Sequence, residues 1–464
     1  MATQVAQGNA QLAGGEIFMS AEQENGAALT PGRSPGRTGT VPVTFTAAFK
    51  VWTRIGFLSF GGPAGQIALM HREIVEERKW LTEDEFLNAL NFSMLLPGPE
   101  AMQLATYSGW RLHGIPGGLA AGLMFVIPGA LVVLALSIVY AVFGQVPLVE
   151  AAFIGIKAAV LVIVIEALLK ISKRALHKAA HWIIAAAAFV AIFFFDVPFP
   201  LIVLGAGIIG FLLPGRVEAS VDDGAPGVSI GDTVKTIATW LSIWILPLLA
   251  IALLLGPDHV LAQIGLFFSK LAVVTFGGAY AVLAYMGQAA VETHGWLNPG
   301  EMLDGLGLAE TTPGPLILVT EFVGYLAAAR SSGEHSLLMG LAGAAVTLWA
   351  TFAPCFLWIF AGAPYVERIG QSAKLKAALQ GITAAVVGVI LNLSLWFSLH
   401  VLMPGIEQRW VGIFRYWVPP ESGADLVAVV LSVVALVALL FLKQGVIRTL
   451  TLCAGLATLW HFVG

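Results

Sequence analysis

The sequence predicts an all-α polytopic membrane protein: about thirteen apolar segments forming two inverted-topology repeats with broken or re-entrant helices. Three observations predict it. Of 464 residues, 58% are hydrophobic and 11% charged, against about 25% charge in soluble domains. Many apolar stretches approach the roughly 20 helical residues that a bilayer crossing needs. Two regions 216 residues apart also spell nearly the same thing, without a gap. Ser59-Phe60-Gly61-Gly62 is echoed by Thr275-Phe276-Gly277-Gly278, and Pro97-Gly98-Pro99 by Pro313-Gly314-Pro315. Residues 57–99 and 273–315 agree at 15 of 43 positions. A duplicated half with helix breakers at matching depths is the pattern of a secondary transporter.

Taken in order, residues 1–43 are rich in Gly, Ala, Gln, Pro and Ser, without the basic start and apolar run of a signal peptide. They read as a disordered cytoplasmic tail. Apolar segments follow at 44–70, 85–111, 116–143, 147–170, 181–196, 198–215, 233–256, 259–286, 301–329, 336–361, 376–400, 424–442 and 446–463. The first transporter repeat is thus 44–232, a linking transmembrane helix is 233–256, and a second, inverted repeat is 257–464. An odd connector is the simplest way to invert a duplicated half.

Lys and Arg collect on the cytoplasmic side of membrane proteins. Lys170, Lys173, Arg174 and Lys178 crowd one loop, and counting onward places Arg216, Lys235, Arg368, Lys374, Lys376, Lys443 and Arg448 on the same side. With the N-terminus inside, 16 basic residues are cytoplasmic and 6 external, while Lys157 and Lys270 fall within segments. Asp196 and Asp258 are external, without basic neighbours in the sequence. Two loops resist: 71–79, basic yet outside, and 287–300, inside with Glu292 and no Lys or Arg. Both obey the rule if the segments flanking each loop are re-entrant hairpins, the reading preferred here.

Broken helices are tolerated in hydrocarbon only where they line a cavity or are buried in protein, because unpaired backbone groups cost several kcal/mol there. The first copy breaks at Gly61-Gly62-Pro63 and at Pro97-Gly98-Pro99. Each new helix start offers unpaired N–H groups and about half a positive charge, and two facing starts would hold an anion without a buried arginine. Ser59, Gln66, Ser93, Gln103, Thr106, Tyr107 and Ser108 stand near these breaks. The second copy breaks at Gly277-Gly278 and Pro313-Gly314-Pro315, with Thr275, Tyr280, Thr311, Thr312 and Thr320 nearby. Glu100, Glu310 and Glu321 are acids at membrane depth, where charge is costly and functional, and are candidates for proton coupling.

Structural readings compete with these. Glycine pairs also let helices pack closely. Trp80 and Trp296 read as interface anchors, and Arg72, Arg78 and Lys79 as a solvated face. His71 reads as a structural partner rather than a proton carrier. Lys157 and Lys270 either snorkel or line the path. Cys355 and Cys453 form no metal spacing, no phosphate-binding P-loop is present, and no nucleophile or cofactor motif favours an enzyme.

The run Phe57-Leu58-Ser59-Phe60-Gly61-Gly62-Pro63, with Met70-His71, Glu76, Trp80 and Leu96-Pro97-Gly98-Pro99-Glu100-Ala101-Met102-Gln103-Leu104-Ala105-Thr106-Tyr107, resembles the chromate ion transporter family. So do Phe276-Gly277-Gly278 and Thr312-Pro313-Gly314-Pro315. The resemblance covers nearly all of 44–464 and is to the long-chain, two-domain type; Met102 departs from a polar residue expected there. It implies export of chromate across the inner (plasma) membrane, conferring resistance and driven by a proton gradient or the membrane potential. Chromate acts in this family as a sulfate analogue, so sulfate is a second expected ligand. A sulfate or other oxyanion importer on the same scaffold is the alternative, and a passive channel or membrane enzyme the more distant rivals. The partners expected are the oxyanion and the lipid bilayer, with a homodimer left open; no nucleic acid, metal or cofactor is expected.

Overall fold

The computed structural model describes residues 43–60, 62–212, 230–276, 279–331, 333, 336–366 and 373–463. The expected tail (1–43, save Val43), Gly61, Gly277, Gly278, Arg216 and Arg368 lie outside the described residues.

The first helix, α1 (Phe45–Leu58), is capped by Thr44, whose side chain accepts from the Ala47 N–H. It ends at Ser59, and α2 (Gly62–His71) begins with Pro63 in its first turn, where a missing N–H costs nothing. A π-helical turn, Arg72–Glu77, follows. Then comes α3 (Glu83–Leu95), whose Thr82 and Glu85 form a reciprocal capping box. After Pro97-Gly98-Pro99, α4 (Glu100–Phe143) runs out and folds back at His113-Gly114, where Gly114 takes φ 63°. Its two limbs pack so tightly that a Cβ on Gly109 would lie 2.3 Å from the Gly117 carbonyl oxygen.

The rest of the first half is α5 (Pro147–Ala175), α6 (Ala179–Phe195) and α7 (Phe199–Leu212), followed by α8 (Ile230–Leu255). The second half repeats the order: α9 (Val260–Val274), α10 (Ala279–Gln288), a π-helical turn Ala289–Thr293 and α11 (Pro299–Thr311). Asn298 and Glu301 rebuild the capping box 216 positions after Thr82 and Glu85. A 3-10 turn (Leu316–Leu318) leads into α12 (Val319–Arg330), then α13 (Leu337–Gly362), α14 (Ala373–Leu402), α15 (Leu426–Leu436) and α16 (Val446–Val463).

Five helices are long and apolar enough to cross a membrane by length and composition: α4, α5, α8, α13 (with the turn to Tyr365) and α14. Five shorter apolar helices of 10–17 residues, over α6, α7, α9, α15 and α16, accompany them. The expected segments 44–70, 85–111, 259–286 and 301–329 are instead each divided at their Gly or Pro break. At 1.5 Å per residue the 14 residues of α1 reach only about 21 Å, short of a hydrocarbon core of about 30 Å.

At each break the chain turns back on itself. Trp52 of α1 packs against Trp80 at 6.4 Å between centroids, and Arg54 Nε lies 3.6 Å from Glu73 Oε1. Across the second break Arg111 Nη2 reaches Glu85 Oε1 at 3.4 Å. Phe267 meets Tyr285 at 5.9 Å and Phe268 meets Trp296 at 6.4 Å across the third. Arg330 holds Glu301 with two bonds of 3.0 and 2.6 Å across the fourth. The helices flanking each break therefore pair as a helical hairpin.

Beside the helices stands a β-hairpin the sequence reading did not anticipate: β1 (Glu407–Val411) and β2 (Phe414–Val418), antiparallel, with Glu407 opposite Val418. Its turn uses Gly412 at φ 63°, a backbone region open to glycine at no steric cost. On β2, Arg415 is buried and caps α6, donating to the Ile192 and Phe193 carbonyls at 2.6 and 3.0 Å and to Asp196 Oδ1 at 2.7 Å. Asp196, without basic neighbours in the sequence, thus gains one from 219 residues away.

Candidate functional site

Two hydrogen bonds join the two copies at their breaks. The Gly98 N–H donates to the Thr275 carbonyl at 2.9 Å, and the Gly314 N–H donates to the Ser59 carbonyl at 2.8 Å. Gly98 and Gly314 are equivalent in the two copies, and so are Ser59 and Thr275. Each Pro-Gly-Pro tip therefore docks on the other copy's first break. Sequence reasoning placed the two breaks of one copy face to face; the tip bonds run between copies instead.

Glycine is required at both tips, because Gly98 takes φ +119° and Gly314 φ +92°, a region where a side chain is strained. Space is equally tight. A Cβ on Gly98 would meet Gln103 Nε2 at 2.7 Å and Cys355 Sγ at 3.0 Å. One on Gly129 of α4 would sit 2.2 Å from the Pro313 carbonyl oxygen. Pro63 and Pro99 open helices as expected, with Pro99 as the cap of α4, while Pro315 caps the 3-10 turn.

Gln66 adds a bond between copies: its Nε2 donates to the Gly314 carbonyl at 2.6 Å and lies 3.4 Å from the Ser59 carbonyl. Gln103 Nε2 donates to the Pro97 carbonyl at 2.6 Å. Both side chains are fully buried and both leave Oε1 without a hydrogen-bond partner. Most of the hydroxyls expected to serve as donors spend their protons on nearby backbone carbonyls, whereas Ser108 Oγ is buried without a partner. Ser59 donates to Ile55 O, Thr106 to Met102 O, Thr275 to Leu271 O, Thr312 to Ala309 O, Ser93 to Ala89 O and Thr320 to Ile317 O. An anion at this centre would therefore draw on backbone donors. Among the described residues no backbone hydrogen bond is made by the N–H groups of Glu100, Ala101 or Met102 at the start of α4. Tyr107 packs between Phe92 and Trp110.

The two tips differ in lining. Glu100, Gln103 and Thr106 of the first copy correspond to Leu316, Val319 and Phe322 of the second, all buried. Of the three acids expected, Glu310 accepts from the Tyr280 hydroxyl at 2.8 Å. Glu321 is buried with Oε2 unpartnered. No hydrogen bond or ion pair among the described residues joins Glu100, Glu310 and Glu321 to one another.

A further buried acid was missed. Asp304 on α11 accepts from the Tyr140 hydroxyl at 2.7 Å and faces Lys157 Nζ at 3.4 Å. This pairing tethers Lys157 in the interior. The available signal was its place among the four acids of the apolar segment 301–329, of which it is the one aspartate. Trp80 and Trp296 sit at the hairpin bases, Trp80 under Arg78 and Trp296 stacked on His294 at 4.2 Å. His71 lies between Glu76 and Glu83, at 3.1 and 2.7 Å, as a structural partner. Among the described residues no group of three or more His, Cys, Asp or Glu is arranged to hold a metal ion.

No solved structure matches the chain. Among curated proteins, it is 30% identical over 365 residues to the chromate transport protein of Cupriavidus metallidurans, covering 76% of this chain and 83% of that one. It is 32% identical over 354 residues to the chromate transport protein of Pseudomonas aeruginosa, covering 75% and 80%. It is also 30% identical over 347 residues to a probable chromate transport protein of Synechococcus elongatus, covering 74% and 81%. The family described as chromate transporter matches residues 46–211 and 262–459. With tips, breaks and matches covering both halves, the chain belongs to the chromate transporter family, whose members are multi-pass membrane transporters and not enzymes.

Proposed function

We propose that this chain is a secondary active carrier of chromate, exporting it from the cytoplasm across the inner membrane and conferring resistance. The observation that carries the reading is the reciprocal pair Gly98 N–H to Thr275 O and Gly314 N–H to Ser59 O. It joins the breaks of the two copies in pairs, which supports a site where half-helix N-termini would hold a tetrahedral dianion. Dipoles suit a carrier better than an arginine cluster, because the anion must also be released. The proposed ligand-facing set is Ser59, Gly61, Gly62, Pro63, Gln66, Pro97, Gly98, Pro99, Gln103, Thr106 and Tyr107, completed by Thr275, Gly277, Gly278 and 312–315. Glu100, Glu310 and Glu321 are the proposed proton carriers.

The topology proposed is two inverted repeats, 44–232 and 257–464, joined by the helix 233–256, with the N-terminus cytoplasmic. Hairpins that re-enter the membrane move Arg72, Arg78 and Lys79 to the cytoplasmic side, so basic residues divide 19 to 3 rather than 16 to 6. The second copy's hairpins then enter from outside. The packing of α5 on α16 and of α14 on α7 exchanges equivalent helices between copies, as a two-fold relation requires.

Everted vesicles test the reading. Under an imposed proton gradient or potential they should accumulate labelled chromate saturably, with sulfate competing. No uptake under either gradient would contradict export, and uptake only in right-side-out vesicles would favour the importer reading. A homodimer belongs to the same proposal and would show as twice the chain mass in detergent.

A further inference from the structure

The bases of the two first hairpins carry the same pair of basic positions with one substitution between them. In the first copy, Arg54 and Arg78 converge on Glu73, which is fully buried. Glu73 Oε2 accepts from Arg78 Nη1 at 2.5 Å, and its Oε1 lies 3.6 Å from Arg54 Nε. Shifted by 216 positions, these three residues become Lys270, His294 and Ala289. The two nitrogen-bearing side chains remain, and the carboxylate between them is gone.

A cavity of about 630 Å³ opens there, lined by Lys270, Ala289 and His294 together. Asp196 and Glu292 also line it, but both are engaged. Asp196 accepts from Arg415 and Gln288, and Glu292 from Gln288 and Trp396, with Arg415 Nη1 3.7 Å away. Lys270 has no acidic partner within ion-pair distance among the described residues. Burial, with the Lys270 ammonium second, holds the imidazole of His294 below its ordinary pKa, so it stands in the cavity as a neutral N–H donor.

We infer that the cavity at the base of the α9–α10 hairpin is a docking site for a small oxyanion, whose oxygens take the place that the Glu73 carboxylate fills in the first copy. The inference rests on the transport reading above and extends it: the transported oxyanion pauses between Lys270 and His294 on its way to or from the tips. In the proposed topology this base faces outside. The first copy's base carries its own carboxylate and is closed to the same ligand.

The probe is radiolabelled sulfate, bound at constant ionic strength to the full chain in nanodiscs. Gly98→Leu disables the tips, so sulfate that still binds saturably reports the cavity alone. Adding Lys270→Gln or Ala289→Glu to that chain should weaken binding at least tenfold, the second by restoring an internal carboxylate. Should Gly98→Leu not fold, Lys270→Gln in the otherwise unaltered chain should remove one of two classes of sulfate site. Lys270 is exposed, so its loss leaves the core intact. Binding within threefold of the parent in Lys270→Gln, or no saturable sulfate binding at all, overturns the inference. Failure of the tip reading shows separately, as a Gly98→Leu chain that still transports.

Discussion

The two Pro-Gly-Pro tips share backbone and differ in chemistry. Both place a glycine at positive φ, both donate that glycine's N–H across the interface, and both sit at the turn of a helical hairpin. The first opens a long helix directly and presents Glu100, Gln103 and Thr106; the second passes through a 3-10 turn and presents Leu316, Val319 and Phe322. A duplication preserved the scaffold because the interlock needs both halves. At positions 100, 103 and 106 and their equivalents 316, 319 and 322, only the first copy is polar. We read the first tip as the polar side of the shared site and the second as its apolar side.

The largest effect expected breaks both tips alike. Gly98→Leu and Gly314→Leu each force a side chain into a strained backbone region, and each should abolish chromate transport while protein persists in the membrane. Full transport by Gly98→Leu would remove the helix-start site. Next comes the test of asymmetry: Gln103→Val converts the first tip to the second's chemistry and should lower transport at least tenfold. Thr320→Val on the second side should stay within about threefold, and equal losses would erase the distinction between tips. Glu100→Gln should flatten the pH profile of transport more than it alters thermal stability. An unchanged profile would take Glu100 out of coupling.

Smaller effects sharpen the comparison. Gly129→Ala presses a methyl onto the Pro313 carbonyl and should cost about 1–3 kcal/mol, the usual range for overpacking, read as a lower unfolding midpoint in detergent. Trp80→Ala should lower the amount of folded protein and leave apparent affinity within about twofold; a clean affinity defect would move Trp80 from hairpin base to site.

The repeated motifs and the four helix breaks were legible because they rest on local signals: Gly and Pro positions and a fixed offset. What the sequence hid depends on contacts between distant residues. Nothing local says that Gly98 pairs with Thr275 rather than with the break at 61–63. Asp304 escaped notice because its partners, Tyr140 and Lys157, lie on other helices. Arg415 looked like one external basic residue among several, yet it caps a helix ending 220 positions earlier. The β-hairpin was obscured because its strands are only five residues each, beside spans that dominate any hydropathy reading. Hydroxyls near the breaks looked like ligand donors, and only their geometry reveals that most of their protons already serve nearby backbone carbonyls, Ser108 excepted.

The central claim is that the interlocked tips hold the anion. A structure of the full chain with chromate or sulfate bound tests it most directly. The account predicts tetrahedral density against the start of α4, within hydrogen-bond reach of backbone N–H groups at 100–102. Density confined to a lysine or arginine cluster, remote from Gly98 and Gly314, would contradict it.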